Sequence, residues 1–166
     1  MAQNPHTPTS LQDEIGKRRP FEHLEQEAYL NLMRTMSVLD EEVSKLFKAR
    51  GLSEATYNAL RILRGEQSHG AAAGIPCQLI GERLISRVPD VTRLIDRLEA
   101  AGMVKRGRTD QDRRIVLVSI TKKGLSVLEQ LDKPLMDIHK NQFKHMAAAE
   151  LTELNRLLTK ARHPNS

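Results

Sequence analysis

The fold is decided between Ser86 and Thr121, where the sequence is SRVPDVTRLIDRLEAAGMVKRGRTDQDRRIVLVSIT. Apolar residues recur there at steps of three or four, which predicts a helix with one buried stripe. The stripe consists of Val91, Leu94, Ile95 and Leu98. Gly102 follows it, at a position where helices commonly end in a residue that tolerates positive φ. We therefore expect the helix to stop just before Gly102.

Two short strands follow this helix. Met103–Lys105 and Ile115–Ile120 contain several β-branched residues, which favour strands. The segment between them, RGRTDQDRR, is too polar for a core and contains Gly107, which helps a chain to turn. The pattern predicts a hairpin with arginines at its tip.

Further helices flank this stretch on both sides. The apolar spacing predicts helices over residues 21–50, 54–66, 77–84, 122–146 and 148–161. A turn at Ile85 separates the 77–84 helix from the next one, where we expect Ser86 to act as the cap and Pro89 to lie in the first turn. We predict a mostly α (α+β) fold, a winged helix-turn-helix with a two- or three-stranded β-wing and terminal helices that form a dimerisation region.

The chain divides into four predicted regions. They are a flexible N-terminal arm with a short helix (1–20), a long dimerisation helix (21–50), a DNA-binding domain (51–121) and C-terminal dimerisation helices (122–166). The long helix carries a wider apolar face than one small core needs. We expect that surplus to be buried against a second copy of the chain.

Positive charge is concentrated in the same part of the sequence. The chain has 166 residues and a net charge of +5, but Arg83–Lys123 alone holds eleven Lys/Arg against five Asp/Glu, a net charge of +6. Such a local excess is typical of a polyanion-binding surface. The scarcity of aromatic residues argues against proteins that stack single-stranded bases. With no secretory signal and no apolar run near about 18 residues, we expect a cytoplasmic protein without membrane contact.

Three segments in this order resemble the MarR (multiple antibiotic resistance regulator) family of bacterial transcription factors. The segments are GLSEATYNALRIL, VTRLIDRLEAAGMVKR and DQDRRIVLVSITKKG. The resemblance implies a homodimer that binds a pseudo-palindromic operator in double-stranded DNA and is often released by a small ligand. The sequence departs from the usual family pattern in its Ala/Gly-rich loop at 69–76 and in Pro89.

The recognition helix and the turn before it supply the predicted DNA contacts. The candidates are Ser86, Arg87, Pro89, Asp90, Thr92, Arg93 and Arg97. Arginine suits bidentate contact with guanine, so Arg87 and Arg93 are expected at base edges and Thr92 at a phosphate or a thymine methyl. Arg97 either binds phosphate or pairs with Asp96 or Glu99. Asp90 and Asp96 are expected to orient arginines.

The hairpin supplies a second set of predicted contacts. Its candidates are Arg108, Asp112, Arg113 and Arg114, which are close enough in sequence to enter a minor groove. The resemblance places the inserted arginine at Arg114 and an ion pair at Asp112, although Asp112 also fits simple turn chemistry. Generic phosphate candidates are Lys105, Arg106, Lys122 and Lys123.

Two features of the sequence are candidates for sensing a regulatory signal. Tyr29, Met33, Met36, Phe47 and Tyr57 either line a small-molecule pocket or are plain core. Cys77, at a helix start, is either a redox sensor or a buried, inert thiol. We find no motif for catalysis, a cofactor or a metal, and expect a regulator rather than an enzyme. The alternatives are a winged-helix module that binds proteins without reading DNA, or a redox-responsive regulator using Cys77.

Overall fold

The computed structural model describes residues 10–108 and 116–163. The helices and strands, in chain order, are α1 (Leu11–Glu14), α2 (Leu24–Lys48), α3 (Glu54–Ser68), β1 (Ile75–Pro76), α4 (Cys77–Arg83), α5 (Val91–Ala100), β2 (Val104–Arg108), β3 (Val116–Ile120), α6 (Lys122–Phe143) and α7 (Ala148–Arg162). The mostly helical chain with one small sheet confirms the predicted fold class. It divides into two compact units, one up to Glu42 and one from Val43 onward.

In the first unit, α1 is a short capped helix and α2 leaves much of its apolar surface exposed. The Glu14 carboxylate of α1 binds Arg34 of α2, with Nε and Oε2 3.1 Å apart. α2 begins at Leu24 rather than at residue 21. Tyr29, Met33 and Met36 are 62%, 57% and 59% exposed. The surplus apolar face predicted for this helix is therefore present, and these three side chains are exposed among the described residues.

The core of the second unit is shared by its helices and its sheet. Its largest fully buried side chains are Leu60, Ile80, Ile95, Leu98, Leu128, Leu131 and Val118. They come from α3, α4, α5, α6 and β3, and burying each contributes about 1.5–3 kcal/mol. Phe47 stacks on Tyr57 at the edge of this core, with ring centroids 4.3 Å apart. The helix-turn-helix and the sheet therefore share one hydrophobic core.

Side-chain caps determine where helices of the second unit begin. The Ser53 hydroxyl accepts a hydrogen bond from the Thr56 N–H at 3.2 Å, and Thr56 Oγ1 accepts from the Ser53 N–H at 2.8 Å. The Thr121 hydroxyl accepts from the Gly124 N–H at the start of α6, at 3.2 Å. Gly102 has a φ of 69°, so α5 ends where the sequence predicts.

Surface polar contacts join α3 to α6. Arg64 binds Asp132 through two nitrogens, at 2.7 and 2.9 Å, and this hydrogen bonding raises the pKa of Arg64. α7 follows α6, and none of its side chains is buried in the described part of the chain. No described helix combines the length and the apolar content that crossing a lipid bilayer requires.

The sheet has three antiparallel strands in the order β1-β3-β2. β2 and β3 pair as the predicted hairpin, with Val104 opposite Ile120. β2 runs to Arg108, however, so Gly107 lies within the strand, opposite Leu117, and not in the turn where the sequence predicts it. β1 is missing from the sequence prediction because two residues are too few to show an alternating pattern. Its Ile75 is buried and lies opposite Val118. The wing sheet is therefore three-stranded.

Candidate nucleic-acid interface

α5 has one buried face and one exposed face. Its buried side chains are Leu94, Ile95 and Leu98, which confirms the predicted stripe. Its exposed polar side chains are Thr92, Arg93, Asp96 and Arg97. The exposed face therefore presents two arginines, the residue type best suited to bidentate contact with guanine in a major groove.

The start of α5 differs from the prediction. Asp90 is the N-cap residue, and its carboxylate accepts a hydrogen bond from the Arg93 N–H at 2.9 Å. The expectations that Ser86 caps this helix and that Pro89 lies in its first turn are wrong. Ser86, Arg87 and Pro89 lie exposed in the turn before the helix. Serine and aspartate are both good caps, and the one that directly precedes the apolar stripe takes the position.

Arg106 of β2 joins the wing to α5. Its guanidinium binds Asp96, with Nη2 and Oδ1 2.6 Å apart, and it also pairs with Glu99. The Arg106 N–H donates to Glu99 Oε1 at 3.1 Å. The hydrogen bond to Asp96 raises the pKa of Arg106, so this cation stays charged. Asp96 binds Arg106 rather than Arg97, so the expectation that Asp96 orients a DNA-reading arginine stays a prediction.

This contact changes the interpretation of two predicted residues. Arg106 is predicted as a generic phosphate ligand, whereas its guanidinium is engaged with two carboxylates. Within the described residues no acidic side chain pairs with Arg97. The reversal at Gly102 shows that β2 returns toward α5, but it does not show which α5 side chains meet Arg106.

The remaining basic candidates surround α5 and the hairpin. Lys105, Arg108 and Lys122 are exposed. The Lys123 ammonium donates to the Ala101 carbonyl at 2.8 Å, at the C-terminal end of α5, where a cation is favourable. Asp112, Arg113 and Arg114 lie outside the described residues, so their contacts with DNA stay predictions.

Cys77 lies at the first position of α4 and is half-buried. Burial raises the pKa of the Cys77 thiol above its ordinary value. The charge of Arg106 and a hydrogen bond with Thr92 lower this pKa, but by less than burial raises it. A thiol with a raised pKa carries less of the reactive thiolate at neutral pH. The environment of Cys77 therefore favours the inert interpretation over the redox sensor.

The predicted pocket residues lie in different surroundings. Phe47 and Tyr57 are buried and stacked on each other, whereas Tyr29, Met33 and Met36 are exposed on α2. A separate pocket of about 270 Å³ opens beside α5. It is lined by Gly51, Leu52, Ser53, Thr56, Arg97, Leu98, Ala101 and Met103. Its lining combines apolar side chains such as Leu52 and Leu98 with the cationic Arg97.

Comparison with known proteins gives one consistent family. Residues 52–116 match the model of the MarR family. The chain is similar to a MarR transcription factor from Planctomyces limnophilus, with 41% identity, a TM-score of 0.62, and coverage of 84% of this chain and 98% of that one. It is similar to a MarR family transcriptional regulator from Streptomyces coelicolor, with 30% identity, a TM-score of 0.69, and coverage of 83% and 92%. It is 27% identical over 129 residues to the transcriptional repressor MprA of Escherichia coli (strain K12), covering 77% of this chain and 70% of that protein.

Proposed function

The chain belongs to the MarR family of transcriptional regulators, and we propose that it represses transcription by binding a pseudo-palindromic operator as a homodimer. The observation that carries the proposal is the exposed, arginine-bearing face of α5, joined through Arg106 to a basic wing strand. The relatives it resembles are transcription regulators rather than enzymes. Since its partner is DNA, we place the protein in the cytoplasm.

We assign the DNA contacts by position and chemistry. Arg93 on α5 and Arg87 in the preceding turn are placed at base edges, with Thr92 beside them. Arg97 is assigned to phosphate because its guanidinium has no acidic partner among the described residues. The other proposed contacts are Ser86, Pro89, Asp90, Lys105, Arg106, Arg108, Asp112, Arg113, Arg114, Lys122 and Lys123. Arg106 contributes chiefly by holding β2 against α5.

The proposed dimer follows from uncovered apolar surface. Tyr29, Met33 and Met36 form an exposed apolar row on α2, and α7 buries none of its described side chains. Helices with such faces are normally covered by another helix. A second copy of the chain would cover them and would set two α5 helices about one DNA turn apart, roughly 34–36 Å.

We also propose that a small molecule releases the protein from DNA. One proposed location is the Phe47–Tyr57 pair, where an entering ligand must separate rings whose centroids are 4.3 Å apart. The pocket beside α5 is a second location, where a ligand would compete with DNA for Arg97. Thermal shift with a panel of small acids and phenols identifies a ligand, because binding to the native state alone raises Tm. Loss of that shift in Arg97→Gln would assign the ligand to the pocket beside α5.

The function is tested by selecting bound duplexes from a random DNA pool. We expect the wild-type chain to enrich an inverted repeat, because a two-fold symmetric dimer presents two identical reading helices. The half-sites should be about 10 base pairs apart, which is one turn of the DNA helix. The affinity should fall steeply with salt, because several counterions are released on binding. Failure to enrich any sequence would overturn the proposed function. Enrichment of a single, non-repeated site would overturn the dimeric part of it.

A further inference from the structure

The turn between α4 and α5 carries Arg87 but has few contacts of its own. α4 ends at Arg83, and the next residue, Leu84, is already extended, with φ −63° and ψ 139°. The Leu84 N–H donates to the Gly81 carbonyl at 3.4 Å, which is a long hydrogen bond. The backbone of residues 85–89 forms no secondary structure. The position of Arg87 therefore depends on whatever holds this turn.

A side chain of α3 supplies that support. The Asn58 Oδ1 accepts a hydrogen bond from the Ile85 N–H at 3.1 Å. In the described parts of the chain, this is the only hydrogen bond that ties residues 84–90 to a helix other than α4 and α5. Asn58 is only 6% exposed, while the Ile85 side chain is 74% exposed and cannot hold the turn by packing.

Apolar contacts alone would leave the turn less defined. Leu84 and Val88 are partly buried and pack against the core. Such packing is non-directional, so it permits small rotations of the backbone. A hydrogen bond to the buried Asn58 amide oxygen fixes both a distance and a direction. Losing its acceptor would leave the Ile85 N–H unpaired and favour movement of the turn toward water.

We propose that Asn58 is a positioning residue for DNA reading, which sets the α4–α5 turn so that Arg87 meets the base edge it recognises. The inference rests on the proposed function, because it assigns Asn58 a role in operator selectivity. Asn58 itself does not touch DNA. It acts through the Ile85 backbone, two residues before Arg87. If Asn58 had only a structural role, replacing it would lower the stability of the protein and leave its operator selectivity unchanged.

Asn58→Leu tests the proposal, since leucine is of similar size and lacks the acceptor. Two dissociation constants are measured by fluorescence anisotropy at one salt concentration, for the selected operator and for a scrambled duplex. We expect operator affinity to fall about ten-fold, the equivalent of one good base contact. Affinity for the scrambled duplex should stay within about two-fold, because the phosphate-binding charges are unchanged. Asn58→Asp, which keeps an acceptor oxygen, should restore operator selectivity.

Hydrogen exchange tests the contact without DNA. The Ile85 amide should exchange about ten-fold faster in Asn58→Leu than in the wild type, because its acceptor is gone. Asn58→Ala replaces Asn58→Leu if the leucine variant does not fold, as judged by circular dichroism. Thr56→Val is the matched control, since it removes a buried hydroxyl of α3 whose hydrogen bonds go to Ser53 rather than to the turn.

Three results would overturn the inference. Asn58→Leu could keep the wild-type ratio of the two affinities, or lower both in proportion, as a structural role predicts. The Ile85 amide could exchange at the wild-type rate. Thr56→Val could reduce selectivity as much as Asn58→Leu. If the wild-type chain preferred neither duplex, the proposed function would fail together with this inference. If only the Asn58 variants behaved unexpectedly, the inference alone would fail.

Discussion

Replacing Arg106 with methionine tests whether the recognition helix and the wing act as one unit. Methionine keeps an apolar stem and removes the guanidinium that binds Asp96 and Glu99. Both carboxylates are more than one-third exposed, so each ion pair contributes only about 0.5 kcal/mol after solvent screening. We expect the free energy of unfolding to fall by about 1 kcal/mol and Tm by about 2–4 °C.

The effect of this substitution on DNA binding should exceed its effect on stability. Arg106→Met leaves Asp96 and Glu99 without their cation on the helix that we propose faces DNA. It also removes the side-chain contacts that hold Arg106 of β2 against α5. Because like charges that meet at an interface are costly, we expect operator affinity to fall at least about ten-fold, or roughly 1.4 kcal/mol.

Two measurements decide the outcome. Urea unfolding gives the change in stability, and fluorescence anisotropy with the selected operator gives the change in affinity. Arg64→Met is the matched control, because it removes a two-nitrogen ion pair with Asp132 that joins α3 to α6. Similar losses of stability in both variants, with no loss of operator affinity in either, would refute a coupling between α5 and the wing.

Three further predictions concern single positions. Because burial raises the pKa of Cys77, its alkylation by iodoacetamide should be slow at pH 7 and should reach half its maximal rate at a higher pH than that of a free thiol. A half-maximal rate at the same pH as a free thiol, or at a lower pH, would restore the redox hypothesis. Gly81→Ala places a Cβ 2.8 Å from Val91 Cγ2 and should cost about 1–3 kcal/mol in urea unfolding, whereas Gly65→Ala, with open space around it, should not destabilise. Asp90→Ala should cost about 1 kcal/mol through the lost cap, and Asp90→Asn should retain it; equal losses would contradict the capping role.

Much of the fold is predictable because strong patterns agree. The apolar stripe of α5 and the positive φ of Gly102 are both visible in the sequence, and the structure confirms them. Helix starts are less predictable, since several residues near a boundary can cap. Ser86 and Asp90 compete for one position, and only the packed helix shows that Asp90 takes it.

Contacts between distant residues are the part that sequence patterns miss. The basic character of Arg106 is visible, but its partners depend on how closely the hairpin returns to α5. Asn58 gives no sequence signal, because a polar residue on a helix is usually exposed and its partner Ile85 lies 27 residues away. Such pairs follow from the packing of α3 against the turn and not from local propensity.

The central claim is that the exposed face of α5 reads a specific DNA sequence. The most direct test compares the wild type with Arg93→Ala on the selected operator and on a scrambled duplex, by fluorescence anisotropy over a salt series. We predict that Arg93→Ala lowers operator affinity by about 1–3 kcal/mol, with dimer and helical content intact, and weakens scrambled-duplex binding far less. Unchanged operator affinity and an unchanged salt slope would contradict the assignment of α5 as the DNA-reading helix.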